Sequence, residues 1–261
     1  MSTAAMAMRE VSYVRKVMIR NPQALFFTIG LPLLYLFIFA TVFGKYHEHL
    51  AGQPGSLKAS TAIVASVVVI GVVSAAFQFL ATTLVNDRES GILKRLRSAP
   101  VPTKTFLAGY LINSILTSTL LAVLVAALGR VAYGVRLPSA HVLAAVATVL
   151  VGALACCALA FAVTVVVRKA TTATALVPAV TLTLFFLSGN FFSLDGASAG
   201  LRTAANIFPV RHFYQAMLTA FNPNVTGSGF ALGHLGILAL WGAAGLAIAA
   251  WRFRWTPAGD E

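Results

Sequence analysis

Six apolar runs, divided by short polar or proline- and glycine-punctuated segments, set the pattern of this chain. They predict membrane spans at about residues 24–43, 60–85, 106–129, 141–167, 172–191 and 232–250. At 1.5 Å per residue, each can cross about 30 Å of hydrocarbon. Pro32 predicts a kink in the first span, and Pro178 lies inside the fifth. Ahead of the first run, Val11, Val14, Val17 and Met18 recur at helical spacing among Arg9, Arg15, Lys16 and Arg20. This predicts an N-terminal helix over 1–20 lying in the membrane interface, closed by Asn21-Pro22 as cap and first helical residue. Between the fifth and sixth runs, 201–207 and 210–221 read as two short helices broken at Phe208-Pro209. Neither is long enough to span, so a re-entrant or external hairpin is expected there. The fold class is therefore an all-α integral membrane protein, one domain over 1–261, with the six-span bundle in 24–250 and a cytoplasmic tail in 251–261.

Composition supports the bilayer. Of 261 residues, 59% are hydrophobic and 10% charged, against roughly 25% charged in an average soluble domain. The net charge of +12 sits in short segments between the apolar runs, which fits lipid headgroups rather than nucleic acid. Residues 25–43 exceed a 7–15-residue signal core and lack a small-residue cleavage site, so they read as a span.

Charge also orients the chain. Placing the N-terminus inside puts Arg9, Arg15, Lys16, Arg20, Arg88, Lys94, Arg95, Arg97, Lys104, Arg168, Lys169, Arg252 and Arg254 on the cytoplasmic side. Lys45, Lys58, Arg130, Arg136, Arg202 and Arg211 fall outside. Thirteen of 19 basic residues inside satisfies the positive-inside rule, with both termini cytoplasmic.

The most concentrated chemistry lies in residues 86–102, NDRESGILKRLRSAPVP. Asn86 with Glu89 three residues on has capping-box spacing, which predicts a helix from there to about Arg97, ended by Pro100 and Pro102. Ile92, Leu93 and Leu96 share one face of that helix. Glu89 has Leu93 rather than a base at i+4, so its carboxylate is expected to suit a partner's cation.

Catalytic constellations are scarce. His47-Glu48-His49 lacks a third ligand, and i,i+2 residues do not share a helix face, so no metal site is expected. Adjacent Cys156 and Cys157 read as small buried apolar residues. No carboxylate sits mid-span, which disfavours an ion-driven secondary transporter. A membrane-embedded lipid-processing enzyme would need acidic or histidine clusters that the sequence does not offer. No G-x-x-x-x-G-K-[ST] occurs, so the chain is expected to be no enzyme and to bind no cofactor itself. Gln78 and Asn113 are candidates for a polar touch on a substrate route. Phe185, Phe186, Phe191 and Phe192 are candidates for its aromatic lining.

The basic N-terminal helix, RNPQALFFTIGLPLLYLFIF, the six spans and the loop at 86–102 together resemble the permease subunits of type-two ABC exporters. Arg88, Glu89, Gly91, Leu93, Lys94, Arg95, Leu96, Arg97 and Pro100 carry the likeness in the loop. Ser188, Gly189, Phe191, Phe192, Leu201, Pro209 and Ala216 carry it before the last span. Ser193 stands where the family often has proline, and Met217-Leu218 where arginine often ends the motif. The resemblance implies a permease of the cell inner membrane, working as a homo- or heterodimer with a second permease copy. A separate ABC ATPase subunit would hold ATP and Mg. The segment 87–97 would be the coupling helix seated on that ATPase. The short chain is most similar to drug and lipid exporters of the daunorubicin-resistance kind, with a polysaccharide or lipid-linked glycan as the alternative cargo.

Overall fold

In the computed structural model, which describes residues 3–43, 58–98, 103–191, 194 and 196–252, the apolar runs are helical and no strand occurs among the described residues. α1 (Thr3–Arg20) buries Val11, Val14 and Met18, while Tyr13, Arg15, Lys16, Ile19 and Arg20 are exposed. Pro22 opens α2 (Pro22–Leu25) at the first helical position, where its missing N–H leaves nothing unpaired. A π-helical turn, Phe26–Gly30, leads into α3 (Leu31–Phe43). Pro32 can supply no N–H to the carbonyl of Thr28, and the wide turn lies just ahead of it, where an interrupted hydrogen-bond ladder is expected.

α4 (Ala59–Val73), a second π-helical turn at Ser74–Phe79 and α5 (Leu80–Glu89) run on as one helix of 31 residues. The short α6 (Ile92–Ser98) precedes α7 (Thr103–Tyr133), α8 (Val142–Val166) and α9 (Ala170–Ser188). α10 (Ala199–Ile207) and α11 (Pro209–Phe221) meet at Phe208-Pro209, and α12 (Leu232–Arg252) follows. Among the described residues, five helices are long and apolar enough to cross a membrane: Ala59–Glu89, Leu107–Tyr133, Val142–Val166, Ala170–Ser188 and Leu232–Trp251. The first run yields a shorter apolar helix, Phe26–Val42.

The Ala59–Glu89 helix is the axis of the bundle. Its most apolar window is 89% buried, against 22% for Ala170–Ser188 and for Leu232–Trp251. α3, α7, α8 and α11 all pack on α4. The most extensive contact joins α8 to α12. Gly242 meets Ala155 and Gly245 meets Ala158, so residue numbers rise together and the two helices run parallel. A Cβ at Gly245 would stand 2.8 Å from the carbonyl carbon of Ala158, and one at Gly242 3.2 Å from Ala155 Cα. Small residues that let backbones approach this closely hold helices together where lipid removes the hydrophobic drive. α11 buries Val210, Phe213, Tyr214, Ala216, Met217 and Leu218 against α4, α8, α9 and α12. The Phe213 ring lies over Gly152, where a Cβ would come within 2.5 Å of it.

Candidate functional site

The sequence expectation of a helix starting at Asn86 is overturned. Asn86 lies inside α5, which continues the central helix through Glu89. Its carbonyl accepts from Ser90 N–H at 2.9 Å, so it is a late helical residue and not a cap. The helix stops at Ser90-Gly91 because Gly91 takes a left-handed φ of 72°, which glycine adopts without steric cost. α6 then starts at Ile92. The single helix expected over 86–97 is therefore two, with a hinge at Gly91.

Three consecutive residues at the end of α5 reach three neighbouring helices. Asp87 is 6% exposed and its carboxylate accepts from the Tyr110 hydroxyl of α7. Arg88 is 4% exposed. Its Nη1 donates to Thr164 O and its Nη2 to Val167 O, each at 2.6 Å. Those carbonyls belong to the last turn and the cap of α8, where carbonyls lack intrahelical donors and the helix end carries partial negative charge. Glu89 Oε2 accepts from Ala170 N–H, the first amide of α9. Lys169, the residue at the N-cap of α9, gives no side-chain cap, so Glu89 supplies the acceptor from another helix. The cation thus sits on a C-terminus and the anion on an N-terminus, each with the sign the helix end favours.

This corrects a second expectation: Glu89 has a partner, and it lies within the chain. The reason is tertiary. Chain-distant Ala170 fills the place that the i+4 position left vacant, a pairing invisible to helical spacing. Together Asp87, Arg88 and Glu89 form a clamp that fixes the same end of α5, α7, α8 and α9.

Beyond the hinge, Leu93 is fully buried and anchors α6, while Lys94 and Arg95 are exposed. Leu96 and Arg97 belong to the same helix, which ends at Ser98, and Pro100 lies outside the described residues. Leu93 therefore anchors the short helix, which presents Lys94 and Arg95 on its exposed face.

Of the residues suggested for a substrate route, Gln78 sits in the π-helical turn Ser74–Phe79 and is half-buried. Asn113 of α7 is buried, and its Nδ2 has no hydrogen-bond partner among the described residues. Phe185 is buried and Phe186 is half-exposed near the end of α9. Both surround Phe191, at ring-centroid distances of 6.2 and 5.2 Å. Phe192 lies outside the described residues, as do His47, Glu48 and His49. Cys156 and Cys157 are buried and unbridged.

Two features escaped sequence reasoning. Tyr35 and Phe39 of α3 complete the ring cluster, each 5.7 Å from Phe191. Their i,i+4 spacing in an apolar run was the available signal. Asn190 lies beside the cluster in sequence, 8% exposed, and its carbonyl accepts from Ser66 Oγ at 2.7 Å. Both side-chain amide atoms of Asn190 are buried without a partner among the described residues.

Comparison with known proteins gives the clamp a family context. No curated protein matches the chain. The model of a family described as ABC-2 type transporter matches residues 3–222, which include every residue of the clamp and its partners on α7, α8 and α9. The chain therefore belongs to the ABC-2 type transporter family, as a multi-pass membrane permease of that type.

Proposed function

We propose that the chain is the permease subunit of an exporter that moves a hydrophobic drug, antibiotic or lipid outward across the cytoplasmic membrane, with a role in antibiotic resistance or lipid transport. A separate ATPase subunit, holding ATP and Mg, drives it, and two permease copies form the pathway. The observation that carries this reading is α6. It is a short helix with an exposed basic face, held by buried Leu93 and hinged at Gly91 to the clamp on α5, α7, α8 and α9. A partner that pushes on Lys94, Arg95 and Arg97 pushes on the ends of four helices at once.

In this reading Phe26–Val42 makes a sixth, shorter crossing, which brings both termini to the cytoplasmic face with the clamp. The positive-inside excess supports that orientation. α1 lies along the interface, and α10 and α11 dip in from the far side, α11 under cover of α4, α8 and α12 and α10 against α9. The ring cluster around Phe191, at the end of the bundle away from the clamp, lines the exit for an apolar cargo.

The test is transport by the purified permease–ATPase complex in proteoliposomes. A short-chain fluorescent phospholipid and a lipophilic dye should both move faster with hydrolysable ATP than with a non-hydrolysable analogue. Movement of a lipid-linked glycan with neither of these would assign the alternative cargo. No ATP-dependent movement of any of the three would overturn the reading.

A further inference from the structure

At the end of the bundle opposite the clamp, two histidines face each other. His212 of α11 and His234 of α12 have their Nδ1 atoms 2.8 Å apart, with ring centroids at 5.1 Å. His212 is 5% exposed and His234 partly buried. His212 Nε2 lies 2.8 Å from Asn206 O. A carbonyl oxygen only accepts, so His212 carries its proton on Nε2 and offers a bare Nδ1. His234 must then donate from Nδ1, which leaves its Nε2 bare. The chain of bonds runs from His234 Nδ1–H to His212 Nδ1, and from His212 Nε2–H to the last turn of α10.

Proton counting follows from that arrangement. A first added proton goes to His234 Nε2, and both hydrogen bonds survive. A second must go to His212 Nδ1, which places N–H against N–H and two cations about one ring apart. That contact cannot persist. Arg211 is a charged group that acts on His234, and its Nε donates to Asn206 Oδ1 at 2.7 Å. Among the described residues, the other titratable groups on the packed elements at this end are Lys58 before α4, Arg202 of α10, Tyr214 of α11 and His141 before α8, whose Nε2 lies 3.1 Å from Gly227 O. No carboxylate among the described residues faces the pair to offset a second positive charge.

We propose that His212 and His234 form a one-proton latch that fastens the α10–α11 hairpin to α12 and releases it when both rings become protonated. A second polar tie here is Trp241 Nε1–H to Ile207 O at 2.9 Å. Both join α12 to the α10–α11 hairpin, and α10 and α11 also contact α9. Acid would therefore loosen the packing over the far end of α9, where Phe185 and Phe186 meet Phe191. By linkage, the latch contributes stability while at most one proton is bound, and that contribution is lost as pH falls through the second protonation.

The test uses the full chain in lipid nanodiscs with 15N-labelled histidine. At about pH 8, above the ordinary histidine range, His212 should show the Nε2–H tautomer and His234 the Nδ1–H tautomer. The opposite tautomers would overturn the proposal. Trp241 emission, read with Trp251 and Trp255 replaced by phenylalanine, should then shift in one step as pH is lowered to about 4, below that range. The step should be absent in His234→Gln and in His212→Gln. Either variant keeping the wild-type step, or no step in the unmodified pair, would refute the latch. The tautomer measurement needs no variant and stands if a substitution prevents folding.

Discussion

Replacing Gly245 with leucine should leave little folded protein in the membrane. A Cβ there would stand 2.8 and 2.9 Å from the carbonyl carbon and oxygen of Ala158 and 3.0 Å from the amide nitrogen of Leu159. These are backbone atoms of a helix, which cannot swing aside as a side chain would. The collision must be relieved by moving α12 off α8 along the most extensive contact in the bundle. Overpacking by single methylenes typically costs about 1–3 kcal/mol, and a whole leucine between two backbones belongs at or above the top of that range. Gly245→Ala should lose less, since only the Cβ intrudes. Gly236→Leu on the same helix is the control, because a Cβ there meets no heavy atom within 4 Å. Size-exclusion recovery of detergent-solubilised protein separates the cases: near normal for Gly236→Leu, reduced for Gly245→Ala and minimal for Gly245→Leu. Equal recovery of all three would show that the α8–α12 contact is not needed for the fold.

The second large effect is expected at Arg88. Its guanidinium satisfies Thr164 O and Val167 O, each at 2.6 Å. Hydrogen bonds to a charged group contribute about 1.5–3 kcal/mol each, so Arg88→Ala should cost about 3–6 kcal/mol less whatever water recovers at the freed carbonyls. Arg88→Lys should restore only part of this. An ammonium is a single point charge without the planar fork that reaches two carbonyls at once. Thermal unfolding in detergent should therefore rank wild type above Arg88→Lys, and Arg88→Lys above Arg88→Ala. If Arg88→Ala unfolds with the wild type, the clamp does not hold the end of α8.

These two sites show how far the sequence carried. Long apolar runs declare themselves because a helix in lipid must satisfy its own backbone, so the runs beginning near 60, 106, 141, 172 and 232 could be read within a few residues. Gly245 could not be singled out, since its role depends on which helix lies opposite and at what register. The same limit explains the misreading of 86–97. Local spacing presented Asn86 and Glu89 as a capping box, yet Asp87, Arg88 and Glu89 are bound by Tyr110, Thr164, Val167 and Ala170, from 23 to 81 positions away in the chain. With those partners the central helix gains more by continuing to Glu89 than by stopping at Asn86. Gly91 was the one local clue to the true break, because a left-handed residue is what a helix end there requires. The aromatic cluster was half legible. Phe185, Phe186 and Phe191 were visible as neighbours in sequence, whereas Tyr35 and Phe39 come from α3 at the start of the chain.

The clamp and α6 are adjacent but should fail differently, and that difference is the sharpest check on the account. Arg88→Ala should damage both the fold and the coupling to the ATPase. Arg95→Glu changes an exposed side chain of α6, so insertion and thermal unfolding should match the wild type. The decisive measurement is substrate-stimulated ATP hydrolysis by the purified permease–ATPase complex carrying Arg95→Glu. Loss of stimulation with normal folding is the predicted result. Full stimulation would contradict the claim that a separate ATPase drives this chain through α6.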